Sequence, residues 1–213
     1  MQPDQIVLGL TWFVVFLFST TLHEAAHAWA AYKLGDPTAY EGGQVSLNPL
    51  PHIQREPIGM IVVPLITFAT QGWMMGWASA PYDPRWAHRY PKRAALMALA
   101  GPLGNLLLAS MAGLLFRLGV AGWVPSLIEP LWILFSLNLL LFVFNLLPMP
   151  PLDGSAILPA FMSDAAAQRY RDFIHQPMFS LLGLLLAWRV FPYIYRPIEA
   201  AVFSVIFPGM GLQ

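Results

Sequence analysis

The chain has 213 residues, 57% of them hydrophobic and only 10% charged, against roughly 25% charged in an ordinary soluble domain, so it reads as a membrane protein. Its formal net charge is zero, which gives no reason to expect a nucleic-acid partner or a polybasic clamp on lipid. It has no cysteine, which excludes a disulfide framework and cysteine-rich zinc sites and leaves His and carboxylates as the metal ligands on offer.

The opening Met-Gln-Pro-Asp lacks the basic region of a signal peptide, and the apolar run behind it leads to no small-residue cleavage site, so it is expected to stay attached. No polar stretch exceeds roughly 25 residues, whereas an appended domain usually needs at least about 50. Residues 1–213 are therefore expected to form one membrane-embedded domain, with a core over residues 6–155 and C-terminal helices over residues 156–213.

The first segment, Ile6 to Leu34, makes roughly 42 Å of helix at about 1.5 Å per residue, longer than the roughly 30 Å hydrocarbon core. Gly35-Asp36-Pro37 stops it. Near its end stand His23, Glu24 and His27. On a helix the two histidines lie one turn apart on one face, a spacing that lets both hold a tetrahedral zinc, and Glu24 is close enough to act as a base on water there. Three ionisable groups in one turn within a bilayer are costly without a metal. The competing reading is a pair of core histidines satisfied by hydrogen bonds.

From Tyr40 to Pro57 the chain alternates and carries breakers, which predicts a short extended strand with loops around Gln44 to Leu47. Such backbone is tolerable only at the interface or packed on protein beside a water-filled cavity, which makes it a wall of the site. Ile58 to Thr70 is apolar but too short to cross, and Gln71-Gly72 follows, so it is expected to be re-entrant. Trp73, Trp77 and Trp86 are read as interfacial anchors. Tyr82 to Arg93 then gathers Arg85, His88, Arg89, Lys92 and Arg93.

Ala94 to Leu118 is a second span. Its Ala100-Gly101-Pro102-Leu103-Gly104-Asn105 brings small residues for close helix contact, a proline that loosens the ladder and a lone amide. Leu131 to Leu147 is the third, ending in Asn145 and then Pro148-Met149-Pro150-Pro151-Leu152-Asp153-Gly154. Prolines so dense cannot continue a helix, so Asp153 is presented from unwound backbone. An amphipathic piece from Ser163 to Phe173, a span from Met178 to Tyr195 and a short apolar tail from Ile198 are read as packing. The fold class expected is an all-α polytopic membrane protein with about four to six membrane segments and a small re-entrant, β-strand region after the first helix.

Charge sets the orientation. With the end of the first helix, the basic loop and the residues after Asp153 on one side, that side holds Lys33, Arg55, Arg85, Arg89, Lys92, Arg93, Arg169 and Arg171, eight of the eleven basic residues, which makes it cytoplasmic. The same arrangement puts His23, Glu24 and His27, Asn105 and Asp153 at a similar membrane level. Two imidazoles and one carboxylate leave a fourth position for water, the arrangement of a catalytic zinc. Asp153 could instead cap a helix or turn. Asn105 and Asn145 could be glue between helices or amide donors to a developing oxyanion. His52 reads as an interfacial histidine that could orient substrate.

Taken together, these residues resemble the site-2 protease family of intramembrane zinc metalloproteases, in a compact bacterial form. The resemblance covers roughly residues 10–155 in order: His23-Glu24-Ala25-Ala26-His27, Val45 to Ile53 with Gly59, Gly76-Trp77-Ala78, Ala100 to Asn105, and Asn145-Leu146-Leu147-Pro148 with Leu152-Asp153-Gly154. It implies one zinc held by His23, His27 and Asp153, with Glu24 as general base and acid and supporting catalytic roles for Asn145 and Asn105. It also implies a substrate-binding strand at Gln44, Val45, Ser46 and Leu47, near His52, against which an unwound transmembrane segment of a protein substrate lies. The implied activity is hydrolysis of peptide bonds in or near that segment, within the lipid bilayer. This chain departs from the family in showing no helix before the His-Glu-Ala-Ala-His helix and no PDZ or CBS module. A metal transporter or sensor is the rival, but it should show several polar sites along a path where these concentrate at one level. A silent scaffold of the same fold should have lost Glu24 or a ligand, and all are present.

Overall fold

A computed structural model describes residues 3–174 and 176–207. Helix α1 (Pro3–Leu34) is followed by the short α2 (Thr38–Glu41) and α3 (Leu50–Arg55). A π-turn at Ile58–Val62 leads into α4 (Val63–Gln71), and then come α5 (Pro84–Arg89) and α6 (Pro91–Arg117). The chain goes on through α7 (Val120–Trp123), α8 (Ile128–Asn145), α9 (Asp153–Ile157), α10 (Asp164–Ile174) and α11 (Pro177–Ile206). Among the described residues four stretches are long and apolar enough to cross a membrane: Asp4–Leu34, Pro91–Arg117, Pro125–Asn145 and Met178–Ile206. The chain is a multi-pass membrane protein.

The first helix ends for a local reason. Gly35 takes φ 104°, the Gly35 N–H donates to the Tyr32 carbonyl at 3.2 Å and the Asp36 N–H to the Ala31 carbonyl at 2.9 Å, which is a Schellman closure. Asp36 is fully buried. Its Oδ2 accepts the Asp83 N–H at 2.8 Å, and the Arg93 guanidinium donates to the Leu34 carbonyl at 3.2 Å. The end of α1 is thus fastened to the loop that starts α6, and the two helices enter the bilayer side by side.

Small residues let them approach. On α1 the buried side chains include Ala25, Ala28, Ala30 and Ala31, and on α6 they include Ala94, Ala95, Ala98 and Ala109. In a lipid solvent, where burying apolar surface gains little, such close van der Waals contact is what holds helices together. On the other side of α6, Phe135, Leu139 and Val143 of α8 pack with Ala112, Ala187 and Phe191 in the main apolar cluster.

Three expectations are corrected. The strand expected at Gln44 to Leu47 does not form, and the described residues contain no strand. The Ser46 hydroxyl accepts the Asn48 N–H at 3.0 Å and the Asn48 side chain accepts the Leu50 N–H at 3.1 Å. Side chains here take backbone groups that a ladder would use, and no second strand is present among the described residues to pair with. The C-terminal span and tail are one helix, because α11 runs through Pro192 and Pro197 without ending. Trp86 is buried, packed with Leu34, Tyr82 and Met97, and is not an exposed anchor.

The short excursion after α3 turns back on itself. Gly72 ends α4 at φ 77°, the Met75 N–H donates to Thr67 at 3.0 Å, and the Trp77 N–H returns to the Gly59 carbonyl at 3.2 Å. Gly59 has no room for a Cβ, which would meet the Trp77 carbonyl and ring. The segment therefore begins and ends at the same level.

Candidate metal centre

His23 and His27 project from α1 with relative exposures of 7% and 6%. Asp153 is brought to them as the first residue of α9. Its approach depends on Gly154, where a Cβ would strike the carbonyls of Leu146 and Leu147 at the end of α8. The Asp153 Oδ2 lies 3.1 Å from His23 Nε2 and 3.3 Å from His27 Nε2, and the two Nε2 atoms are 3.0 Å apart. Three donor atoms from residues distant in sequence thus form one small triangle.

The other face of each ring fixes which nitrogen carries the proton. His27 Nδ1–H donates to the Met97 carbonyl at 2.8 Å, an acceptor with no alternative role. His23 Nδ1–H donates to Asn105 Oδ1 at 2.6 Å. Both Nε2 lone pairs then face Asp153 Oδ2, a buried oxygen without a hydrogen-bond donor. Three acceptors facing one another are repulsive unless a cation lies between them.

This donor set fits zinc. Zinc bonds of about 2.0–2.1 Å in a tetrahedron put neighbouring donors about 3.3 Å apart, close to the edges found. Opposite the triangle is Gly101 of α6, where a Cβ would meet His27 Nε2 and His23 Nε2. The glycine keeps open the space that a metal would take. Among the described residues His23, His27 and Asp153 are the His/Cys/Asp/Glu group with metal-ligand spacing.

Glu24 is 6% exposed, and among the described residues its carboxylate makes no hydrogen bond. Asn145 ends α8, partly buried, and also keeps its amide free of hydrogen bonds among the described residues. Asn105 is different. It is 0% exposed, with its amide N–H groups directed to Asn138 Oδ1 at 2.8 Å and to the Ser19 carbonyl at 3.5 Å. Its N–H groups are engaged with these partners and its place is behind His23.

Beside the metal ligands, a cleft of about 290 Å³ is lined by Leu22, Ala25, Ala26 and Trp29 of α1 and by Val45, Ser46 and Leu47. The Gln44 and His52 side chains do not line it. Gln44 is 2% exposed and donates to the Ser79 carbonyl at 3.3 Å. His52 is 1% exposed and holds the Ser46 carbonyl at 3.1 Å through Nε2. Both were expected to touch substrate, and both are instead buried supports of the cleft wall. Asn138 is the second amide of α8 besides Asn145, and its place in the middle of an apolar run marks it as a polar group that needs a partner.

Residues 120–187 match the model of peptidase family M50. A Bacillus subtilis protein named as a zinc metalloprotease, YwhC, is 37% identical over 153 residues, covering 68% of this chain and 66% of that protein. The chain belongs to the site-2 protease family, peptidase family M50. Rip2 of Mycolicibacterium smegmatis, also named as a zinc metalloprotease, is 32% identical over 146 residues, 67% of this chain and 54% of the relative. Rip3 of Mycobacterium tuberculosis, named likewise, is 29% identical over 157 residues, 73% of this chain and 32% of the relative. The matched part of this site-2 protease family chain therefore spans just under two thirds of YwhC and about half of Rip2. No solved structure matches the chain.

Proposed function

We propose that this chain is a zinc metalloendopeptidase that hydrolyses peptide bonds within or near transmembrane segments of other proteins. The observation that carries the proposal is the triangle of His23, His27 and Asp153 with Glu24 buried on the same turn of α1. Zinc bound there supplies a Lewis acid for the scissile carbonyl and water of lowered pKa. Glu24, whose carboxylate makes no hydrogen bond among the described residues, would take a proton from the attacking water as its oxygen bonds to the scissile carbon, and return it to the leaving nitrogen as the C–N bond breaks. Asn145 donates its amide to the developing oxyanion.

The substrate segment lies in the cleft between the Leu22–Trp29 face of α1 and Val45 to Leu47. Helical peptide bonds are shielded by their own hydrogen bonds, so the segment cleaved is one that unwinds readily. Eight of the eleven basic residues lie in the segments grouped with the end of α1, which supports a site nearer the cytoplasmic side of the cell membrane.

The test uses purified wild type and Glu24→Gln, with zinc measured in both and a single-span membrane protein as substrate. Equal zinc is expected, with cleavage in the variant reduced by about a hundred- to ten-thousandfold. Equal cleavage by the two proteins would remove Glu24 from the chemistry.

A further inference from the structure

Behind His23 a chain of buried polar groups crosses three helices. His23 Nδ1–H donates to Asn105 Oδ1 at 2.6 Å, Asn105 Nδ2–H to Asn138 Oδ1 at 2.8 Å, and Asn138 Nδ2–H to the Ser19 hydroxyl at 2.8 Å. Ser19, Asn105 and Asn138 are all 0% exposed. They belong to α1, α6 and α8, and α8 touches neither imidazole through this network except by way of Asn105.

An amide side chain is nearly symmetric in shape, so its neighbours decide which end is nitrogen. The second Asn138 N–H donates to the backbone carbonyl of Leu134 at 2.8 Å. A backbone carbonyl can only accept. That one contact requires the nitrogen of Asn138 to face Leu134, which turns Oδ1 toward Asn105. Facing an oxygen, Asn105 must present its own nitrogen to Asn138 and its oxygen to His23. Facing an oxygen in turn, His23 must carry its proton on Nδ1, which leaves the Nε2 lone pair directed at the metal position. The tautomer of a metal ligand is thus determined two residues away. His27 gets the same result in one step, from the Met97 carbonyl.

We propose that Asn138 is a positioning residue for the metal centre: through Asn105 it fixes the orientation and proton placement of His23, so that zinc finds Nε2 free. The inference rests on the reading of His23 as a zinc ligand. Its reason lies in the bilayer, where a misplaced amide has no water to turn to and the misoriented state would persist. With Asn138 replaced by an apolar residue, the N–H groups of Asn105 keep only the long 3.5 Å contact to the Ser19 carbonyl, and the bias against turning them to His23 is weakened. The turned arrangement favours the wrong tautomer, with the proton on Nε2.

The experiment measures zinc affinity of the full chain in detergent by competition with a chromophoric chelator, together with the visible spectrum of the cobalt-substituted protein. Asn138→Leu is expected to bind zinc about ten- to a hundredfold more weakly, the range for losing the outer partner of a metal-bound histidine, and to alter the cobalt bands. Adding Asn105→Asp to that variant supplies an acceptor at both oxygens, so no orientation is needed, and is expected to restore most of the affinity. Asn138→Leu binding zinc as tightly as wild type overturns the proposal. So does failure of Asn105→Asp to restore binding in a double variant that keeps the helical content and detergent stability of the single one. A wild type that binds no zinc would instead reject the metal-site reading itself.

Discussion

The two walls of the site are built differently. On the metal side the polar atoms of His23, His27, Asn105 and Asn138 are almost all engaged, and helix carbonyls decide their orientation. On the cleft side, Val45 to Leu47 follow no regular ladder, and Leu47 is 56% exposed. The contrast matches the two tasks. A metal must be met by donors already in place, because rearranging polar groups in a low-dielectric interior is costly. A substrate segment that has to unwind is better met by a surface whose backbone is held at a few points, through Gln44, Asn48 and His52, while its exposed side chains adapt.

If the walls are separate, substitutions on one should spare the other. Gly101→Ala should have the largest effect, since its Cβ would occupy the space before both Nε2 atoms. Zinc content should fall to background and cleavage with it, while Gly104→Ala, where a Cβ would make only ordinary contacts at 3.6 Å or more, should keep the metal. A metal-replete Gly101→Ala protein would show that the triangle is not where zinc binds.

On the cleft side, His52→Leu releases the Ser46 carbonyl. Losing about 1 kcal/mol of hydrogen bonding there should raise KM about fivefold with zinc content unchanged. Leu47→Ala should act in the same direction but less, by about threefold or under, as most single contacts in an interface contribute below about 1 kcal/mol. Steady-state kinetics beside metal analysis checks both, and a fall in zinc in either would mean that the walls are coupled.

Much of this division was legible in the residues. His23, Glu24 and His27 are placed by helical periodicity alone, and Asp153 by the prolines before it, which forbid a helix and so present it from a turn. Gly101 could be read as a close-contact glycine, but not as one facing two imidazoles, because that depends on the register between α1 and α6. The strand at Gln44 to Leu47 failed because alternation does not say whether a partner strand exists or whether Ser46 and Asn48 will take the backbone groups first. The partners of Asn105 were not legible, since the direction of an amide is set by groups, here Asn138 and Leu134, that local sequence cannot pair with it. The span from Met178 to Tyr195 and the tail from Ile198 were expected as separate pieces, whereas α11 runs through both and through Pro192 and Pro197. Helices in lipid tolerate proline when neighbours or local adjustment satisfy the freed carbonyls.

His23, His27 and Asp153 together supply the donors for one zinc. Metal analysis of the purified wild type and of Asp153→Ala, matched for folding by helical content, tests this most directly. One zinc per chain is expected in the wild type, with a large loss in Asp153→Ala. Stoichiometric zinc that survives the loss of Asp153 would contradict it.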